Sequence, residues 1–162
     1  MAKKKEEKTN VMRTLEQKKI AYTAHTYPHE DGVAVDGVTV AQMLGQDSGA
    51  VFKTLVTKGA SGAYYVFDIP VAETLDLKKA AKAVGEKSIA MLPSKDLLGL
   101  TGYVHGGCSP VGMKKQFPTV FHESCAAFDT IMVSAGKIGY QVEVKPDDLI
   151  ALVGAKTADV IV

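Results

Sequence analysis

Hydrophobic positions recur along this chain in two rhythms, one helical and one alternating. Near the start, Val11 and Leu15 repeat at helical spacing, the Lys18 stem extends the same inner face, and Thr9 or Asn10 can serve as N-cap. Residues 20–27 then read as a strand that Pro28 closes. Residues 29–37 hold two glycines, two aspartates and one glutamate, the composition of a loop. A short helix follows over 38–44, with Gly45 placed to end it.

From residue 51 the alternating rhythm dominates. Residues 51–57 and 63–69 predict a hairpin around the turn 58–62, which carries two glycines. Asp76 can cap a helix through Val84, where Leu77, Ala80, Ala81 and Val84 share a face and Gly85 supplies the stop. Residues 88–92 predict a short strand, and Ser94 can cap a helix over 95–100. Strand-like stretches follow at 103–105, 119–121, 130–134 and 140–144. Pro146 opens a last helix through Val153, with Asp147 and Asp148 in its first turn. Short strands with unevenly spaced helices lack the strand–helix alternation of a doubly wound fold. The fold class expected is α+β with a mixed sheet. With no repeat or dividing linker, residues 9–162 form one domain behind a charged tail, residues 1–8.

Composition narrows the chemistry. A net charge of +1 excludes a strongly basic protein that coats nucleic acid, while leaving room for a local basic patch. The two cysteines, Cys108 and Cys125, form no CxxC and no His/Cys cluster, which argues against a metal site and fits a reducing compartment. No apolar segment follows the charged N-terminus and no run reaches membrane-spanning length, so neither a secretory signal nor a membrane contact is expected. A cytoplasmic protein is the default.

The stretch 101–115 carries four glycines in fifteen residues. Gly106-Gly107 leaves main-chain N–H groups unshielded, a device suited to an anion or oxyanion, and Pro110 fixes the backbone after Ser109. A plain turn is the competing reading. Lys53 lies mid-strand between two largely apolar faces, sharing one with Val51 and Leu55, while Phe52, Thr54 and Val56 share the other. An ammonium there either snorkels to water or lines a cavity that meets a polar ligand. Thr54 reaches that cavity only if the strand curves or bulges. Cys108 has no visible base and reads as a small packed side chain, as does Cys125. The four histidines lack metal-ligand spacing, and no Ser-His-Asp set is defensible from order alone. Lys114 and Lys115 read as a solvated pair whose position also suits phosphates.

Three segments together carry a resemblance: Val51-Phe-Lys-Thr-Leu55, Gly102-Tyr-Val-His-Gly-Gly-Cys-Ser-Pro-Val-Gly112 and Ser134-Ala-Gly-Lys-Ile-Gly139. In kind, order and spacing they resemble the YbaK/EbsC aminoacyl-tRNA deacylases, relatives of the prolyl-tRNA synthetase editing domain, over residues 11–161. The resemblance implies a curved, partly barrel-like mixed sheet flanked by helices. It implies that Lys53, Gly106 and Gly107 serve catalysis. Tyr27, Thr54, Ser109, Pro110, Ser134 and Gly136 would border the aminoacyl ester, and Lys114 and Lys115 would meet the tRNA acceptor end. No metal or organic cofactor is required.

The reaction implied is trans-editing of Cys-tRNA(Pro), extending to Cys-tRNA(Cys), in which the substrate's own thiol attacks its carbonyl. Prolyl-tRNA synthetase is the partner expected in a transient complex. Two alternatives stay open: water-mediated hydrolysis of Ala-tRNA(Pro) or another small aminoacyl-tRNA, and a non-catalytic tRNA- or synthetase-binding module. The chain departs from the usual third motif at Ala135 and Ile138, and has Gln141 where an acidic residue is frequent.

Overall fold

The computed structural model describes residues 8–162. The expected tail, residues 1–8, lies outside the described residues except for Lys8, whose ammonium pairs with Glu16 at 2.7 Å. Helix α1, Asn10–Gln17, starts where the Thr9 hydroxyl accepts the Met12 N–H, and buries Val11, Met12 and Leu15. Lys18, expected on the inner face, is instead the exposed C-cap beyond Gln17, and Met12 is buried beside Val11.

Among the described residues, eight strands form two sheets. Strands β1 (Tyr22–Thr26), β6 (Ile131–Ser134) and β7 (Tyr140–Val144) make an antiparallel sheet in the order β1-β7-β6. Strands β2 (Phe52–Gly59), β3 (Tyr64–Pro70), β4 (Ile89–Met91), β5 (Thr119–His122) and β8 (Lys156–Ala158) make a mixed sheet in the order β4-β2-β3-β5-β8. A bridge between Val51 and Met132 ties the two sheets together. The α+β class and mixed sheet are as expected. The pairing divides the barrel-like sheet into two, and it does not close.

The mixed sheet is covered on both faces, which is why β3 and β5 read as nearly continuous apolar runs. On one face Phe52 and Phe121 join Val111, Val133, Val142 and Leu149 in a core shared with α1, the antiparallel sheet and helix α5 (Pro146–Val153). On the other, Phe67, Ile69 and Val120 pack against Ala80 and Ala81 of another helix. That helix is preceded in the chain by α2 (Gly37–Met43), so it is α3 (Leu77–Val84), capped by Asp76 and stopped by left-handed Gly85 as expected.

Two local expectations change. Residues 103–105 are not a strand: they open an irregular loop that folds on itself, with the Tyr103 hydroxyl donating to the Val111 carbonyl at 2.5 Å. Helix α4, Ser94–Thr101, includes Ser94 rather than being capped by it, and Pro93 holds the cap position. Strand β8 escaped the sequence reading because it is short, exposed and held only by parallel pairing to β5.

Candidate active site

A cavity of about 540 Å³ opens where the two sheets meet. Five consecutive residues of the β2 region, Val51 to Leu55, line it. Only a strand edge can offer both faces at once, and the pairing supplies one. The hairpin register runs unbroken from Phe52 opposite Pro70 to Lys58 opposite Tyr64, so there is no bulge. On its other side β2 pairs with β4 only at residues 57–59. The Val71 N–H bonds the Val51 carbonyl and the Leu92 N–H bonds the Val56 carbonyl. This parity turns the main-chain groups of Thr54 toward the open edge. Lys53 and Thr54 therefore both reach the cavity without a bulge.

Lys53 is half-buried and forms no ion pair among the described residues. Burial lowers its ammonium below the ordinary lysine range, against the opposing pull of Asp36 and Glu73. Asp36 also lines the cavity. One of its oxygens caps α2, accepting the Thr39 N–H and hydroxyl at 3.2 Å each. Neither acid was singled out in the sequence, since both lie in loops that carry other charges.

Three loops close the cavity, and glycine is what lets them meet. Gly106 lies in the left-handed region at φ +87°, and an added Cβ would stand 2.6 Å from the Ala34 Cβ. An added Cβ on Gly107 would stand 3.1 Å from the Ile138 nitrogen. Gly107 does not line the cavity, and its N–H donates to the Val104 carbonyl at 3.0 Å. The expectation of two bare amides is thus revised for Gly107. Ile138, one of the departures from the third motif, is buried beside this glycine pair.

Tyr27, Thr54, Gly106 and Ser134 join Lys53 in the cavity lining. The Ser134 hydroxyl oxygen also accepts the Gly136 N–H at 3.1 Å. Gly136 lines a smaller neighbouring pocket with His29 and Ile138. Ser109 and Pro110 lie outside the lining: Ser109 is fully buried and its hydroxyl oxygen accepts the Val111 N–H, shaping the loop from behind. Lys114 and Lys115 are exposed and outside the cavity. Lys114 donates to the Gly99 carbonyl at 3.4 Å, and the Lys115 ammonium lies 5.9 Å from the Phe117 ring centre.

Further residues bound the site, of which Gln46 and Asp68 were not singled out in the sequence. Gln46 and Gln141 exchange hydrogen bonds of 2.7 and 3.2 Å at the cavity wall, so Gln141 presents a paired amide. Asp68, directly opposite Thr54 in the register, is fully buried and accepts the Thr54 hydroxyl proton at 2.5 Å. Burial pushes its carboxyl up to about 8, against the lowering effect of that bond. Both cysteines are free thiols. Burial, with Asp68 nearby, pushes the Cys108 thiol up to about 12, so it stays protonated and is a poor nucleophile. Among the described residues no cluster of acids, histidines and cysteines could hold a metal. No helix there is long and apolar enough to cross a membrane.

Comparison with known proteins agrees with this geometry. Residues 33–152 match the family model described as the aminoacyl-tRNA editing domain. The chain is 46% identical over 162 residues to EbsC of Enterococcus faecalis, a candidate Cys-tRNA(Pro)/Cys-tRNA(Cys) deacylase, covering 99% of this chain and 98% of that one. A solved structure of a candidate trans-editing enzyme for prolyl-tRNA synthetase superposes with a TM-score of 0.80 at 26% identity, over 94% of each chain. The hypothetical protein APE2540 shares the fold, with a TM-score of 0.83 at 20% identity over 94% of this chain and 99% of its own.

Proposed function

Because the chain belongs to the aminoacyl-tRNA editing domain family, we propose that it is a deacylase that clears cysteine from mischarged Cys-tRNA(Pro), and from Cys-tRNA(Cys). The observation that carries this reading is Lys53: a half-buried ammonium with no ion-pair partner among the described residues, at the open edge of a strand and in the wall of the 540 Å³ cavity. A cation so placed is available to an anion that develops in the cavity.

The chemistry follows from what the cavity holds and what it lacks. Cys108 is held protonated, so an acyl-enzyme on it is disfavoured. The substrate cysteine carries a thiol of its own, with an ordinary pKa of about 8.5. Its sulfur attacks the ester carbonyl, the C–S bond forms, and the bond from the carbonyl carbon to the terminal ribose oxygen breaks. The ribose oxygen takes up a proton, and a cyclic thiolactone leaves. The protein's share is to hold the aminoacyl group compactly, exclude water, and stabilise negative charge on the carbonyl and departing oxygens with Lys53. Tyr27, Gly106 and Ser134 border the aminoacyl ester in this reading. Ser109 and Pro110 hold the loop behind Gly106, and Lys114 and Lys115 meet the acceptor-end phosphates outside the cavity. The setting is the cytoplasm, with a transient prolyl-tRNA synthetase complex supplying substrate.

A deacylation panel tests this. Cys-tRNA(Pro) and Cys-tRNA(Cys) should be cleared quickly, and Ala-tRNA(Pro) and Ser-tRNA(Pro) slowly. Preferential clearance of Ala-tRNA(Pro) would replace thiol attack by water-mediated hydrolysis. Binding without clearance of any of them would leave a binding module.

A further inference from the structure

The thiol mechanism needs a proton acceptor, and one buried feature remains without a task. Asp68 sits in the middle of β3 with no exposed surface. Its Oδ1 takes the Thr54 hydroxyl, while its Oδ2 is buried with no hydrogen-bond partner among the described residues. A carboxyl in such a place costs stability, and replacement by an apolar group of similar shape is commonly neutral or better. Thr54 is the cross-strand partner of Asp68 and also lines the cavity. Thr54 therefore links a buried carboxyl to the cavity that would take the aminoacyl group.

We propose that Thr54 and Asp68 form a two-residue proton relay that accepts the proton of the substrate's thiol. This rests on the deacylase reading above. The Thr54 hydrogen is committed to Asp68, which leaves its oxygen as an acceptor for a donor in the cavity. The relay works from the ionised form of Asp68: as the sulfur attacks, the S–H proton passes to the Thr54 oxygen and the Thr54 proton passes to the Asp68 carboxylate at Oδ1. The C–S bond forms as the ester C–O bond breaks. The departing ribose oxygen regains a proton from Asp68 by the reverse path, so the enzyme ends unchanged. Thr54 and Asp68 are thereby matched to the job: the carboxyl at about 8 and a thiol near about 8.5 exchange a proton almost without cost.

The surroundings of Asp68 leave this titration to it. Cys108 and Cys125 are the titratable groups that feel its charge, and burial raises both thiols; Tyr103, beside Cys108, is pushed up to about 12. All three stay neutral while Asp68 ionises. Lys53 alternates to the other face of β2, where Asp36 and Glu73 act on it.

The test uses the full chain and Cys-tRNA(Pro), with Thr54→Val, Thr54→Ser and Asp68→Asn beside wild type, each checked for folding by its melting curve. The rate in wild type should rise with pH and level near pH 8. Thr54→Val and Asp68→Asn should lose roughly 10- to 100-fold at pH 7. Their deficit should shrink above pH 9, where the thiol ionises unaided. Thr54→Ser keeps the hydroxyl and should keep most of the rate. Wild-type rates in both Thr54→Val and Asp68→Asn at pH 7 would overturn the relay while leaving the deacylase intact. So would a deficit equal at pH 7 and pH 9, which is the mark of a merely structural role. A wild-type chain inactive on Cys-tRNA(Pro) would instead remove the deacylase reading and the relay with it.

Discussion

Lys53 and Asp68 sit on adjacent strands of one hairpin and face opposite ways, and the contrast between them explains the site. Lys53 is only half-buried, opens on the cavity, and is influenced through space by two acids. Asp68 is wholly buried, with one hydroxyl for a partner. Burial disfavours the charged form of both, yet the outcome differs. The ammonium keeps contact with solvent and nearby acids that hold it charged, whereas the carboxyl is kept neutral over most of the physiological range. One face of the hairpin thus offers a standing charge, and the other a group that can still take up or release a proton.

The largest effect should come from removing the standing charge. Lys53→Ala should lower deacylation by about 100-fold or more, by analogy with the loss of one charge-stabilising donor. Its melting temperature should stay within about 2 °C of wild type, since Lys53 forms no ion pair among the described residues. Activity assays and calorimetry on the same preparation check both halves. Retained activity would break the contrast at its more important end.

A smaller loss is expected where the loop closes on the cavity. Gly106→Val places a branched side chain at a positive φ and into Ala34. It should cost about 1–3 kcal/mol of stability. Loss of the cavity's shape should slow deacylation about tenfold, a figure of the size that misplacement of reacting groups allows. Denaturant unfolding and steady-state kinetics measure the two effects separately. A wild-type rate would mean that Gly106 serves folding alone.

The Asp68 side of the contrast appears in stability. The carboxyl is raised from an ordinary value near about 3.9 to about 8, so the folded protein holds a proton that the unfolded chain has released between these values. Stability must then fall as pH rises through that window, by at most about 1.4 kcal/mol per unit. Comparing pH 5.5 with pH 7.5, wild type should lose about 2 kcal/mol more than Asp68→Asn. Equal slopes in the two proteins would show that Asp68 is not held neutral. The smallest effect belongs to the exposed pair: Lys114→Ala and Lys115→Ala should each slow deacylation less than about threefold at physiological salt. Their effect should vanish as salt screens the phosphates.

Sequence reading reached one side of this contrast and missed the other for the same physical reason. Lys53 stood out because alternation placed an ammonium among Val51, Leu55 and their neighbours. Asp68 lies in an equally apolar strand, Tyr64-Tyr-Val-Phe-Asp-Ile-Pro70, and the same argument applied to it would have flagged a buried carboxyl. The hairpin, the cap at Asp76 and the stop at Gly85 were legible because they depend on neighbours in sequence. The task of Gly106 was not, since Ala34 meets it from a distant loop. Nor was the pairing of Gln46 with Gln141, which spans 95 residues. Strand β8 was missed because its pairing partner, not its own pattern, makes it a strand.

The central claim is that the substrate's thiol is the nucleophile, and the most direct test is to remove that thiol while leaving the enzyme untouched. Wild-type protein is given Cys-tRNA(Pro) and the same tRNA after S-methylation of its cysteine, and loss of the ester is followed at pH 7.5. The account predicts rapid release of native cysteine, while the S-methylated ester decays no faster than without enzyme. Equal enzyme-dependent release of both substrates would contradict it and assign the attack to water.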